Sequence, residues 1–322
     1  MAYFLISVSN KTNLDLCIEY AMAGFTNSIN GAWTFMEINE GDYISFLYGA
    51  RAYNLYQVEK KIAFKGAQKL PPWPPVTFSM SGNTYFFPFR LFLKPVRELV
   101  EPLVRAEFSY VAENLLLRGG YRRTHFQADQ TTLQAVSQMG KLYSKNFHEF
   151  KYEEYEPFEL MFTKNRGLIK NPEVFLFQEL ILQSTIRQFL SKSDNLQRLL
   201  TAVRVNLQSS SLEVLGEKAF PEGHIDILIK ESVPIGQSRK VIIEVKTGAG
   251  SQNDIDQIKS YVDEISEECI RGILIASKFS NKVIKYAQEK NIFLITYNIP
   301  SDLNGVVNFS QILNILQLNS VT

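Results

Sequence analysis

The chain has 322 residues, 45% of them hydrophobic and 21% charged, which supports two folded domains and excludes a disordered or collagen-like protein. A net charge of +1 excludes a global basic field, so any contact with nucleic acid must come from local patches on a neutral body. Three histidines (His125, His148, His224) and two cysteines (Cys17, Cys269) show no zinc-type spacing, and each cysteine lies in a helical-looking apolar pattern that reads as a buried free thiol.

The opening MAYFLISVSNKTN has no basic leader, and no apolar run is long enough to span a membrane, so a cytoplasmic protein is expected. Up to about residue 140 the chain reads as a strand (YFLISVS), a helix (NLDLCIEYAMAG) and strands around DYISFLYG, YNLYQVEKK and FPFRLFLKP. This order suggests a small mixed sheet, strongly curved or barrel-like. Between the last two strands, LPPWPPVTF can be neither helix nor central strand, because its prolines lack donors and fix φ; an exposed, stiff loop is expected. In LLLRGGYRRTHFQ, Arg118, Arg122, Arg123 and His125 surround a glycine pair with Tyr121 and Phe126 interleaved. Such a loop suits phosphate contact and groove insertion, and equally suits a solvated turn.

An acidic, aromatic stretch, KNFHEFKYEEYEPFE, follows a short polar helix and breaks the periodicity. Domain boundaries are expected at 1–145 and 171–322, with a linker over 146–170. The second domain opens with a helix over NPEVFLFQELILQSTIRQFL, Pro172 in its first turn and a buried stripe at 176, 180, 181 and 186. Strands EGHIDILI and VIIEVKTG, a helix SQNDIDQIKSYVDEIS, a strand RGILIAS, a helix NKVIKYAQEKN and a strand IFLITYN complete an alternating α/β order.

The two charged strands carry the chemistry. Strand periodicity places His224 and Asp226 on one face and Ile225, Ile227 and Ile229 on the other; Glu244 and Lys246 likewise oppose Val241, Ile243 and Val245. Burying such charges costs on the order of several kcal/mol unless they are paired or hold a metal. Asp226 and Glu244 suit a hard divalent cation such as magnesium, with manganese as a substitute, since these take one or two carboxylates and keep waters. Lys246 is placed to orient an attacking water or to offset charge on a phosphate. Gln257 and Tyr261, four apart on one helix face, can order the site from the side, and Glu179 is a candidate extra ligand. His224 either touches a phosphate or is an ordinary strand histidine. VKTGAG lacks the spacing of a phosphate loop.

With Asp226, Glu244-Val245-Lys246 and Gln257-x-x-x-Tyr261 in this order, the chain resembles the PD-(D/E)XK nuclease superfamily over roughly residues 172–300, and within it NucS-like endonucleases. The resemblance implies a restriction-endonuclease-like α/β domain, catalytic roles for those residues and Glu179, and a metal on Asp226 and Glu244. One departure is His-Ile-Asp where the superfamily's namesake has proline-aspartate. Over about residues 1–125, W-T-F-M-E-I-N-E-G-D-Y-I-S-F-L-Y, Y-N-L-Y-Q-V and F-P-F-R-L-F-L-K-P-V resemble the EVE and YTH branch of the PUA-like fold, small α+β curved barrels of which several hold a modified base between aromatics. Trp33, Phe46, Tyr48 and Trp73 are candidates for the stacking walls, Trp33 first, and each is equally readable as a core or loop-anchoring aromatic.

Together these readings describe a magnesium-dependent DNA endonuclease, modification-dependent, acting on double-stranded DNA as a homodimer to which the apolar tail ILNILQL contributes. The alternatives are a restriction enzyme for an unmodified site, a repair nuclease for mismatched or branched DNA, and a non-cleaving reader of modified nucleic acid. Intact Asp226, Glu244 and Lys246 argue against the last.

Overall fold

The computed structural model describes residues 1–49, 51–77, 82–99, 124–220, 223–299 and 301–321. The candidate arginines Arg118, Arg122 and Arg123 lie outside them. The chain divides into two compact units, Met1–Met161 with Gly167–Phe175, and Phe162–Arg166 with Leu176–Thr322.

In the first unit, β1 (Tyr3–Ser7), α1 (Lys11–Glu19), β2 (Met22–Phe25), α2 (Ile29–Glu37), β3 (Tyr43–Tyr48), β4 (Arg51–Phe64), β5 (Phe89–Glu98), β6 (His125–Ala128) and α3 (Gln130–Gln138) follow one another. The main path of its sheet runs β2-β5-β4-β3-β1-β6. β1 and β3 pair in parallel and the other neighbours antiparallel. β4 is long, and its register against β5 slips at Leu55/Tyr56 and again at Val58/Lys60. Such irregularities bend a strand. Tyr3, Leu5, Leu47, Leu55, Leu133 and Val136 form one core cluster, while Phe150, Tyr152 and Tyr155 of the acidic, aromatic stretch pack on Phe64. The NLDLCIEYAMAG helix ends at Glu19; Ala21 turns the chain at φ 43 and Met22–Phe25 is a strand instead. The proline loop is exposed at Pro71, Pro74 and Pro75, as expected, but Leu70 and Trp73 are buried.

The second unit contains α4 (Glu179–Leu190), α5 (Ser193–Ala202), β7 (Leu212–Phe220), β8 (Gly223–Glu231), β9 (Lys240–Val245), α6 (Gln252–Ile265), β10 (Cys269–Ala276), α7 (Asn281–Glu289), β11 (Ile292–Asn298), α8 (Phe309–Ile315) and β12 (Gln317–Ser320). Its sheet runs β7-β8-β9-β10-β11-β12, with β9, β10 and β11 parallel and the rest antiparallel. Parallel neighbours require crossovers, which α6 and α7 supply. Ile255, Ile258 and Tyr261 of α6 enter a core with Leu228, Ile242 and Leu274, while α4 contacts β7, β8 and β9. The unit is thus an α/β layer structure.

Two expectations change here. Pro172 does not open the helix: Val174–Leu176 is extended, the Phe177 amide bonds the Thr163 carbonyl, and α4 begins at Glu179. Cys269 begins a strand and is half-buried, whereas Cys17 is buried in α1 as expected. In the apolar tail ILNILQL, Ile312 and Leu316 are buried, at 0% and 3% exposure, while Leu313, Ile315 and Leu318 are half-buried. Among the described residues no helix is long and apolar enough to cross a membrane.

Candidate active site

The strand pattern places the first carboxylates. Asp226 lies on β8 and Glu244 on β9, both buried, and Asp226 Oδ2 accepts the Val245 amide at 2.7 Å, which ties the two strands together beside Glu244. Lys246 leaves the end of β9 half-buried, its amide bonding the Ile275 carbonyl, and its Nζ donates to Glu244 Oε1 at 2.8 Å. The helix spacing works as read: Gln257 Nε2 reaches Glu244 Oε1 and the Tyr261 hydroxyl, each at 3.1 Å. The Ser251 side chain and Asp254 form a capping box that fixes where α6 starts and hence the azimuth of Gln257. From the opposite layer, the first residue of α4 brings in Glu179, with Oε1 3.5 Å from Lys246 Nζ and Oε2 3.4 Å from the Thr247 amide. The six residues singled out in this region therefore converge. His224 is half-buried on β8, paired across the strands with Ala219.

Three carboxylates surround one ammonium, and their ionisation reflects it. Burial and then the nearby Glu244 charge hold the Asp226 carboxyl well above its usual range, against the pull of the Val245 amide and Lys246. Burial raises Glu244 too, with Lys246 opposing. Burial lowers Lys246, but Glu244, Asp226 and Glu179 outweigh it and keep the ammonium firmly protonated. Glu244 Oε2 is buried and, among the described residues, has no hydrogen-bond partner. A buried acceptor left unmatched beside a second buried carboxylate is a donor set that a hard divalent cation satisfies. Among the described residues no group of three or more His, Cys, Asp or Glu side chains is placed to hold a metal ion, so the candidate ligands are the two carboxylates Asp226 and Glu244 alone.

Two groups escaped the sequence reading: the Thr247 backbone, whose amide meets Glu179, and Tyr297 on β11, whose hydroxyl donates to the Thr247 carbonyl at 2.7 Å. Both lie at the carboxyl ends of parallel strands, where α/β sheets place their sites, and that rule is the signal that could have found them.

The proposed base walls are less accessible than the sequence suggested. Trp33 is 6% exposed in α2, its ring centroid 4.4 Å from that of His125; Phe46 is 0% exposed against Tyr56; Trp73 is 4% exposed under the Arg90 guanidinium. Core packing occupies the faces of these three, and of the four candidates only Tyr48 is half-buried rather than buried.

The family described as the endonuclease NucS C-terminal domain matches residues 193–314, a segment that holds Asp226, Glu244, Lys246, Gln257 and Tyr261 but not Glu179. No curated protein matches the chain. Of solved structures, EndoMS in its apo form is similar at 17% identity and a TM-score of 0.21, over 32% of this chain and 44% of that one, so this chain spans less than half its length. The EndoMS-dsDNA2 complex is similar at 12% identity and a TM-score of 0.26 over 75% of both chains. The DNA modification-dependent restriction endonuclease AspBHI is similar at 12% identity and a TM-score of 0.20, over 85% of this chain and 63% of its own.

Proposed function

From a NucS-like endonuclease domain fused to an additional N-terminal unit, we propose that this protein is a magnesium-dependent DNA endonuclease that hydrolyses phosphodiester bonds with its C-terminal unit and reads a modified base in duplex DNA with its N-terminal unit. The observation that carries the chemistry is the unpartnered, buried Glu244 Oε2 beside Asp226 and Lys246. Asp226 and Glu244 hold the cation, which when bound supplies Lewis-acid stabilisation of charge on the scissile phosphate, and manganese can replace magnesium there. Lys246 orients the attacking water and offsets the negative charge that grows on the phosphate oxygens. Gln257, braced by the Tyr261 hydroxyl, fixes the Glu244 carboxylate so that its second oxygen stays turned to the site. Glu179 restrains Lys246 from the opposite side.

The test is cleavage of modified and unmodified genomic DNAs by the full chain with magnesium, with and without a chelator. Cutting of modified DNA should stop on chelation and return with magnesium or manganese. Asp226→Ala or Glu244→Ala should abolish cutting and leave DNA binding in place, and full activity in either variant would overturn the assignment. A nuclease for mismatched or branched DNA is the second reading, favoured by the NucS match. Cutting confined to mismatched or branched unmodified duplex would put it first.

A further inference from the structure

The turn that follows Lys246 is held from two strands. The Lys246 amide bonds the Ile275 carbonyl at the end of β10, the Gly248 carbonyl receives the Ser277 amide, and the Gly250 amide bonds the Lys278 carbonyl. Thr247, exposed between these anchors, is held from β11 instead, by the Tyr297 hydroxyl on its carbonyl at 2.7 Å. The amide on the other side of the same α-carbon meets Glu179 Oε2 at 3.4 Å, and Glu179 Oε1 stands 3.5 Å from Lys246 Nζ. Those two contacts lie at the long limit of hydrogen bonding, where a displacement of a few tenths of an ångström ends them, whereas the tyrosine bond is short. The weakly held end of this chain of contacts therefore depends on the strongly held one.

We propose that Tyr297 is a positioning residue of the active site: its hydroxyl fixes the Thr247 backbone, which places Glu179 and through it the Lys246 ammonium. Tyr297 is 6% exposed and pairs with Leu318 across β11 and β12, so its ring serves the sheet while its hydroxyl alone serves the site. Burial, with the Glu179 charge adding to it, raises this phenol to about 12, which keeps the proton that the Thr247 carbonyl accepts. The effect on rate rests on the nuclease reading; the effect on the turn does not.

Tyr297→Phe, made in the full chain, separates ring from hydroxyl. Its melting temperature should stay close to that of the parent. In the metal-free protein, hydrogen exchange at the Thr247 amide should quicken about tenfold as one hydrogen bond's restraint is lost. With magnesium and saturating DNA, kcat should fall about tenfold while KM for DNA holds, and Tyr297→Phe combined with Glu179→Gln should be no slower than Glu179→Gln alone, because both act on one contact. Unchanged exchange at Thr247, or rate losses that multiply in the double variant, would overturn the proposal. A parent protein that cuts no DNA would sink the nuclease reading, and the exchange measurement would still decide the role of the hydroxyl.

Discussion

Asp226 is the residue whose chemistry is most at odds with its position. Its carboxyl is held above the usual range by burial and by the Glu244 charge, so between the ordinary carboxylate range near pH 4 and the raised value the folded chain binds a proton that the unfolded chain has released. Stability from this site is therefore full at the acidic end and is lost as pH rises through the raised value. Asp226→Asn removes the titration, so in chelator the variant should melt higher than the parent at neutral pH, by about 2–4 °C for each kcal/mol involved, and the difference should vanish below about pH 4. Magnesium should raise the parent's melting temperature and leave the variant's nearly unmoved. Scanning calorimetry from pH 4 to 8 checks both, and a variant that melts lower at neutral pH would mean that Asp226 is stabilising as a charged partner. At this scale the sequence was highly informative, because alternation along HIDILI and VIIEVK leaves few places for a charge to point. It was silent about Tyr297, whose ring satisfies the same apolar pattern as any strand aromatic while its hydroxyl does something the pattern does not encode.

α6 and β10 show how elements carry the site. Gly272 on β10 lies under α6, and a Cβ there would stand 2.8 Å from Ile258 Cγ2 and 2.9 Å from both Val262 Cγ2 and Ile292 Cδ1. The helix could stay only by being pushed from the sheet, and overpacking of this kind costs about 1–3 kcal/mol. Gly272→Ala should lower the urea midpoint with an unchanged m value, and cleavage should fall as well, because the displaced helix carries Gln257 away from Glu244. An unaltered midpoint would show that side-chain rotation alone absorbs the methyl group. α6 itself was legible: Ile255, Ile258 and Tyr261 keep helical spacing and are all buried. Elements were missed where the chain turns without the residues that usually announce a turn. Ala21 adopts φ 43 between α1 and β2, and Glu217 adopts φ 31 inside β7, where a glycine would have been conspicuous. Pro172 misled for a related reason: it fits a helix's first turn, but Phe175 and Phe177 gain more by packing from an extended chain, both ending buried.

At the scale of the whole molecule, a net charge of +1 leaves recognition of DNA to local features, and the proposed catalytic residues all lie in the second unit. If the first unit reads a base, the most accessible of the four candidates is the first to test for stacking, and that is Tyr48, half-buried where the other three are buried. Trp33 and Trp73 make poor probes, since truncating so deeply buried an aromatic removes about 3–5 kcal/mol of stability and confounds binding with unfolding. The cleavage-deficient full chain carrying Asp226→Ala should therefore be titrated against matched duplexes with N6-methyladenine, 5-methylcytosine, 5-hydroxymethylcytosine or no modification. One modification should bind more tightly than plain duplex, and adding Tyr48→Ala should reduce that preference by about 1–3 kcal/mol, the worth of one stacked base. Arg122→Ala and Arg123→Ala, in the arginine-rich stretch outside the described residues, should instead weaken all duplexes alike and lower the slope of log affinity against log salt by about 1 each. Base reading acts on the difference between duplexes and phosphate contact acts on their common level, so the two sets of variants move different quantities in one experiment. Equal affinity for the four duplexes would remove modified-base reading and leave cleavage of mismatched, branched or unmodified sites as the function to pursue.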